Sequence, residues 1–449
     1  MLPTAQELEV TRLGDAQHPS PLAGRRGHFV REGSRVLVGS TLEAIEPYLA
    51  SGEAPPSFEA AGPRRELFFN PAGLRCGVVT CGGLCPGLND VIRAVVLTLT
   101  YSYGVTDIDG FRYGYAGLTK AGLPPLVLTP ERVEDIQKQG GTLLGSSRGP
   151  QDVGEMVDTL QARNIGILFA VGGDGTLKGA SAITREIARR GLPISVVGVP
   201  KTIDNDLLWL ERSFGFATAV EEASRAVAAA HVEARGAENG IGLVKLMGRH
   251  SGFITAHATL ANNDVNFCLV PEVPFVLGGA DGFLAALEAR LRARHHAVVA
   301  VAEGAAQDLL TGAHPPAQTD ASGNVRLGDV GPFLRGEIER YLHGRGLDFT
   351  LKYIDPSYLI RSRGANALDA QYCLALGQHA VHAGMAGRTD VMVGYWNQGF
   401  THVPLPLATK ERRRLGPGSD LWQQVLGTTG QPDWRSPTVL ESDIPVTQV

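Results

Sequence analysis

Cysteine is scarce. The five residues Cys76, Cys81, Cys85, Cys268 and Cys373 are odd in number and follow no regular spacing in a chain of 449. That excludes a disulfide framework and fits a reducing compartment. Cys81 and Cys85 could ligate zinc, but no second Cys/His pair stands near them, so they read better as buried or loop thiols. Also missing is any run near the ~18 to 20 apolar residues that a membrane helix needs. The opening MLPTAQELEV lacks the basic stretch and apolar run of an export signal, so the chain is expected in the cytoplasm with no membrane contact. Cationic excess is absent too: 41 Lys and Arg against 46 Asp and Glu leave −5, which argues against a nucleic-acid partner and requires any anion site to be built locally. With 43% hydrophobic and 19% charged residues the chain can still fill a large globular core.

Short Val/Ile/Leu runs ending in polar or glycine-rich turns, each followed by helical periodicity, dominate the sequence from Leu74 onward. This alternation predicts parallel strands with crossover helices, an α/β protein of two doubly wound, Rossmann-like domains. The first unit is LRCGVVT, the turn CGGLCPG and a helix starting near Asn89 and Asp90, either of which is a suitable cap. The second is IGILFAV, GGDGT and a long helical stretch; the third, ISVVGVP, runs into KTIDND. Later runs, among them IGLVKL, AVVAVAEG and VMVGYW, divide the chain near 215 and bring it back to the first domain near 360. Residues 1–73 read as an extension wrapped over the body, and 407–449 as a peripheral tail. The KERRR run in that tail could meet an anionic effector or RNA, or simply form a solvated helix face.

Three segments carry chemistry. Gly172-Gly173-Asp174-Gly175-Thr176 stands where a strand hands over to a helix, so backbone N–H groups and the helix N-terminus favour phosphate. Asp174 would repel phosphate unless a divalent cation lay between them, and the loop therefore proposes nucleotide plus magnesium. In Thr202-Ile203-Asp204-Asn205-Asp206, read as extended, the two aspartates project to one side. One would act as general base and the other would orient it or help hold the metal, with Lys201 supplying positive charge. The loop from Gly140 to Arg148 offers hydroxyls and one guanidinium, while Met247-Gly248-Arg249 and Arg361-Ser362-Arg363 add further guanidinium groups. A donor cradle, a metal site, a base and cationic groups together describe phosphoryl transfer, although GGDGT by itself also suits NAD kinases and lipid kinases.

From about Leu74 to Pro406 the sequence resembles the 6-phosphofructokinases, on the ordered motifs CGGLCPGLN, GGTLLGSSRG, GGDGT, PKTIDND, GFATAVEEA, LVKLMGRHSG, VPEVPF, AEG and LKYIDPSYLIRS. The resemblance implies an ATP-binding domain at 74–215 with 360–406 and a fructose 6-phosphate-binding domain at 216–359. It places Gly83, Arg148 and Gly173, Asp174, Gly175 and Thr176 at the donor phosphates, with Asp174 at the Mg2+ site. It makes Asp204 the base toward the sugar 1-hydroxyl, beside Thr202 and Asp206. Met247, Gly248 and Arg249 match the sugar-phosphate segment, Glu303 the ligand of sugar hydroxyls, and Lys352, Tyr358 and Arg361 further sugar or 6-phosphate contacts.

Donor choice is contested within the sequence. Lys201 is typical of pyrophosphate-dependent members, whereas those usually carry aspartate where Gly175 stands, and a carboxylate there would fill the space for an α-phosphate. The pairing of this glycine with this lysine resembles the ATP-using branch close to the pyrophosphate enzymes. The expected reaction is Mg2+-dependent transfer from ATP to fructose 6-phosphate in a glycolytic enzyme, with pyrophosphate as donor or a catalytically silent regulatory subunit as alternatives. A homodimer or homotetramer is expected. Gly240 removes an arginine that many members direct at a neighbouring subunit, and Arg93 matches an effector position whose companion arginine is replaced by Leu97.

Overall fold

The computed structural model describes residues 2–24, 29–311 and 325–434. Its larger sheet is built around five parallel strands in the order Val391–Trp396, Ser195–Pro200, Ile165–Gly172, Arg75–Thr80 and Asp107–Phe111. Burial on both faces explains why these runs are apolar almost throughout. Leu168 and Val196 pack with Leu160, Leu177 and Ile183 on one face; their neighbours Phe169 and Val197 pack with Val91, Val95 and Leu376 on the other. The smaller sheet is wholly parallel, in the order Phe267–Leu269, His296–Ala302, Gly240–Leu246 and Thr350–Ile354. Its helices include Phe216–Arg235 and Phe253–Asn262 on one side and Phe283–Arg294 and Val330–Gly344 on the other.

The N-terminal extension does more than wrap. Arg35–Leu37 and Ser57–Ala60 continue the larger sheet as antiparallel strands beside Gly399–Pro404. Buried Glu59 anchors this edge by accepting hydrogen bonds from Arg12 (2.8 Å), Arg388 (3.0 Å) and His402 (2.9 Å). Burial alone would raise its pKa, yet His402 and Arg388 hold it far below the usual carboxylate range. Such a carboxylate tolerates burial because its partners satisfy it.

Two local expectations change. The helix Leu88–Thr98 begins at Gly87, which has φ 99°, and no side chain caps it. Asn89 faces away from that role: its Oδ1 accepts from Leu143 N (2.7 Å) and its Nδ2 donates to Gln139 O (3.2 Å), pinning the loop that leads to Arg148. Secondly, KERRR is neither helical nor simply solvated. Arg412 forms an antiparallel bridge with Leu207, and Arg413 donates its backbone N–H to Asp206 O (2.9 Å). The tail then forms the helix Asp420–Thr429, with Trp422 and Val425 buried, and 435–449 lie outside the described residues. All five cysteines are buried and free.

Candidate active site

The register places the chemistry at the carboxyl ends of both sheets, where open α/β sheets bind ligands. Gly172 pairs with Pro200 in the larger sheet and Leu246 with Ala302 in the smaller, so GGDGT, TIDND, MGR and Glu303 all follow directly from strand ends. Gly173 is the extended N-cap of Asp174–Arg189, and Asp174 therefore stands in the first helical turn. A side chain at Gly175 would find nothing within 4 Å, which leaves open space above the turn. Thr176 is buried, and its carbonyl accepts from the Tyr115 hydroxyl at 2.7 Å.

Buried Lys201 points into the neighbouring glycine turn and donates from Nζ to Gly83 O at 2.8 Å. Burial lowers its pKa, the Arg361 guanidinium adds to that shift, and the Asp204 carboxylate opposes it. Ser146 Oγ donates to Gly82 O at 2.5 Å, holding the arginine-bearing loop against the same turn. Exposed Arg148 lies close over Gly83, where an added Cβ would come within 3.2 Å of its Nη2. Gly83, Arg148, Lys201 and the GGDGT turn thus adjoin on one surface, where the sequence reading expects the donor phosphates.

The TIDND segment is a turn, not the extended stretch expected. Asn205 has φ 53°, a left-handed geometry that asparagine tolerates, and its Oδ1 accepts from Ser213 N at 2.8 Å. The aspartates consequently acquire different partners. Thr202 Oγ1 donates to Asp206 Oδ1 at 2.9 Å and accepts from Asp204 N at 3.2 Å. The Asp204 carbonyl accepts from Ser251 Oγ at 2.9 Å, tying the turn to the end of the smaller sheet. Burial pushes the Asp204 carboxyl up to about 7, and the negative charges of Asp206 and Glu303 add to this, while Arg361 and Arg412 oppose it. A base poised near neutrality is what proton abstraction from an alcohol needs.

At the end of the smaller sheet, Met247 is buried and Gly248 has φ 134°, with its Cα facing the Ser251 carbonyl too closely for a side chain. Arg249 Nε and Nη2 are buried without a hydrogen-bond partner among the described residues. Unpaired cationic donors of this kind suit an anionic ligand. A cleft of about 220 Å³ adjoins them, lined also by His250, Glu272, Gln307 and Arg414. Glu303 is positioned by its backbone N–H, which donates to Leu246 O at 2.8 Å. Arg361, at the end of the short helix Ser357–Arg361, contributes positive charge to both Asp204 and Lys201. Lys352 and Tyr358 are not brought into this cluster: Lys352 is exposed on an edge strand, and Tyr358 is 83% exposed.

One residue of the site was not anticipated. Arg412 Nη1 donates to Asp206 Oδ2 at 2.8 Å, and its Nη2 lies 3.5 Å from Asp174 Oδ2. The basic run gave a hint of anion binding, but nothing in local spacing links it to GGDGT or TIDND. This convergence also tests the metal reading: two carboxylates from adjacent strand ends meet across the Arg412 guanidinium, a position that suits a divalent cation. Among the described residues no cluster of three or more His, Cys, Asp or Glu could enclose a metal. The pair fits Mg2+ sharing its shell with phosphate oxygens and water.

The family model described as phosphofructokinase matches residues 75–384. The chain belongs to the phosphofructokinase family. Relatives named ATP-dependent 6-phosphofructokinase include one from Amycolatopsis methanolica, 51% identical over 438 residues and 95% of each chain. Another, from Trypanosoma brucei brucei, is 45% identical over 95% of this chain and 88% of its own. The pyrophosphate-dependent phosphofructokinase of Marinobacter aquaeolei is similar in structure, with a TM-score of 0.65 at 21% identity, over 81% of this chain and 93% of that one. At that identity the likeness speaks for the phosphofructokinase fold alone. Among the described residues no helix is long and apolar enough to cross a membrane.

Proposed function

We propose that the chain is an ATP-dependent 6-phosphofructokinase, transferring the γ-phosphoryl of ATP to the 1-hydroxyl of fructose 6-phosphate in glycolysis. The observation that carries the reading is half-buried Asp204, with its carboxyl raised to about 7 between the GGDGT turn and the end of the smaller sheet. Residues 74–215 with 360–406 hold the nucleotide and 216–359 the sugar phosphate, with the described residues of 1–73 and 407–434 packed around them. Open space at Gly175 favours ATP, since an α-phosphate needs the volume that a carboxylate would fill.

In the proposed reaction Asp204 accepts the proton of the 1-hydroxyl as that oxygen attacks the γ-phosphorus; the bond to the β-phosphate oxygen breaks and ADP leaves. Asp206 and Thr202 fix the turn that aims Asp204. Arg249 and Arg148 stabilise charge on the phosphoryl oxygens in flight, and Lys201 holds the Gly83 turn beneath the donor. Mg2+, held by Asp174 and Asp206, would offset the phosphate charge. Glu303 accepts from sugar hydroxyls, and Arg361 holds the 6-phosphate. Lys352 and Tyr358 enter the sugar site only if that side closes on the substrate. Assembly into a homodimer or homotetramer belongs to the same proposal, without an arginine at 240: any side chain there would meet the Ala234 carbonyl at 2.0 Å.

The test is the rate of fructose 1,6-bisphosphate formation with either ATP or pyrophosphate as sole donor. Turnover with ATP alone supports the reading. Turnover with pyrophosphate alone gives the choice to Lys201, and binding without turnover makes the chain a regulatory subunit.

A further inference from the structure

We propose that the Arg412 guanidinium is the resting counter-cation of the Asp174 and Asp206 carboxylates, and that a divalent cation must displace it to bind between them. The inference rests on the metal reading above and goes beyond it.

Asp174 and Asp206 follow two neighbouring parallel strands, Ile165–Gly172 and Ser195–Pro200, so the fold itself forces their charges together. Such a pair needs positive charge whether or not a metal is present. Lys178, one turn along the helix, reaches Asp174 Oδ2 at 3.0 Å, but among the described residues the Asp206 carboxylate is met by the Thr202 hydroxyl and Arg412. Arg412 alone spans both carboxylates. Its backbone is clamped where it stands: Arg412 bridges Leu207, Arg413 N donates to Asp206 O at 2.9 Å, and Arg413 Nη1 donates to the carbonyls of Leu210 and Glu211 at 3.0 Å. Leu415 N then donates to Glu272 Oε1 at 2.8 Å, the same oxygen that accepts from Gly252 N at 3.0 Å. The guanidinium is thus delivered by a strap fixed on both sides, while its side chain, 32% exposed, keeps room to withdraw. Lys178 and Arg412 together balance the two carboxylates, but Lys178 meets Asp174 alone, so a divalent cation entering between the pair must take the place that the Arg412 guanidinium occupies.

The experiment is Mn2+ binding to the full-length protein without nucleotide, read from loss of the free Mn2+ electron paramagnetic resonance signal, with melting curves to verify folding. Arg412→Gln is expected to bind Mn2+ about three- to tenfold more tightly than the parent, because the competing charge is gone. Arg412→Lys keeps the charge but cannot span both carboxylates, and should fall between; it decides the matter if the glutamine variant does not fold. No gain in either variant, with binding still lost in Asp174→Asn, overturns the displacement by Arg412 alone. Mn2+ binding that survives Asp174→Asn overturns the metal reading, and this inference with it.

Discussion

Lys201 Nζ donates to the carbonyl of Gly83 at 2.8 Å, so a buried ammonium from the end of one strand fixes the glycine turn that follows another. The contact recasts the lysine that argued for pyrophosphate in the sequence. Its ammonium is occupied in shaping the donor loop, a task common to either donor. Lys201→Met should therefore lower kcat/KM by roughly ten- to a hundredfold, the range for losing a hydrogen bond from a charged group. Steady-state rates with ATP and with pyrophosphate check this; a loss confined to one donor would return the lysine to donor selection.

Gly175 makes the complementary case. Because nothing lies within 4 Å of the place where its side chain would be, Gly175→Asp should fold normally, with a melting temperature close to that of the parent. A helix first turn accepts aspartate readily. ATP turnover should nevertheless fall by roughly a hundredfold, since like charges forced together cost several kcal/mol. Melting curves alongside rates separate the two effects, and unchanged ATP turnover would refute the donor argument.

The strand-to-turn units were legible because a doubly buried strand must be apolar and a phosphate turn must be glycine-rich, both of which are local properties. GGDGT, TIDND, MGR and AEG accordingly lie at strand ends, as their spacing suggested. Features settled by distant contacts were not legible. Asn89 looks like a helix cap, yet its amide is engaged by Gln139 and Leu143, some 50 residues away. Asp204 and Asp206 read as an alternating pair until the positive φ of Asn205 turns the chain between them. Arg412 is separated by 206 positions from the carboxylate it pairs with, and in sequence it is one cation in a basic run.

Asp204 offers a prediction with opposite signs for activity and stability. The proposed base must be ionised, so kcat/KM should rise with pH to a plateau above about 7, and Asp204→Asn should remove that limb. The same substitution should cut kcat by roughly a hundred- to ten-thousandfold with little change in fructose 6-phosphate affinity. Stability runs the other way. A carboxyl whose folded pKa is raised binds its proton more tightly when folded, so its contribution weakens as pH rises from about 4, where the unfolded group ionises, to about 7. Asp204→Asn escapes this loss. Its melting temperature should exceed the parent's by more at pH 8 than at pH 5, and an equal difference at both would show that Asp204 ionises freely in the folded protein.

Arg249 carries the last expectation. Its Nε and Nη2 are sequestered from solvent with no acceptor among the described residues, an arrangement that costs the ligand-free protein about 1–3 kcal/mol and is relieved when an anion arrives. Arg249→Met preserves much of the side chain's length and removes the unsatisfied donors. The ligand-free variant should melt on the order of a few degrees higher than the parent. Fructose 6-phosphate, which should raise the parent's melting temperature by binding only the folded state, should lose most of that effect in the variant. Turnover should fall as well, because in the proposed reaction this guanidinium also stabilises charge on the transferred phosphoryl group. A variant less stable than the parent, yet still stabilised by the sugar phosphate, would make Arg249 a structural residue and leave the anion to Arg361.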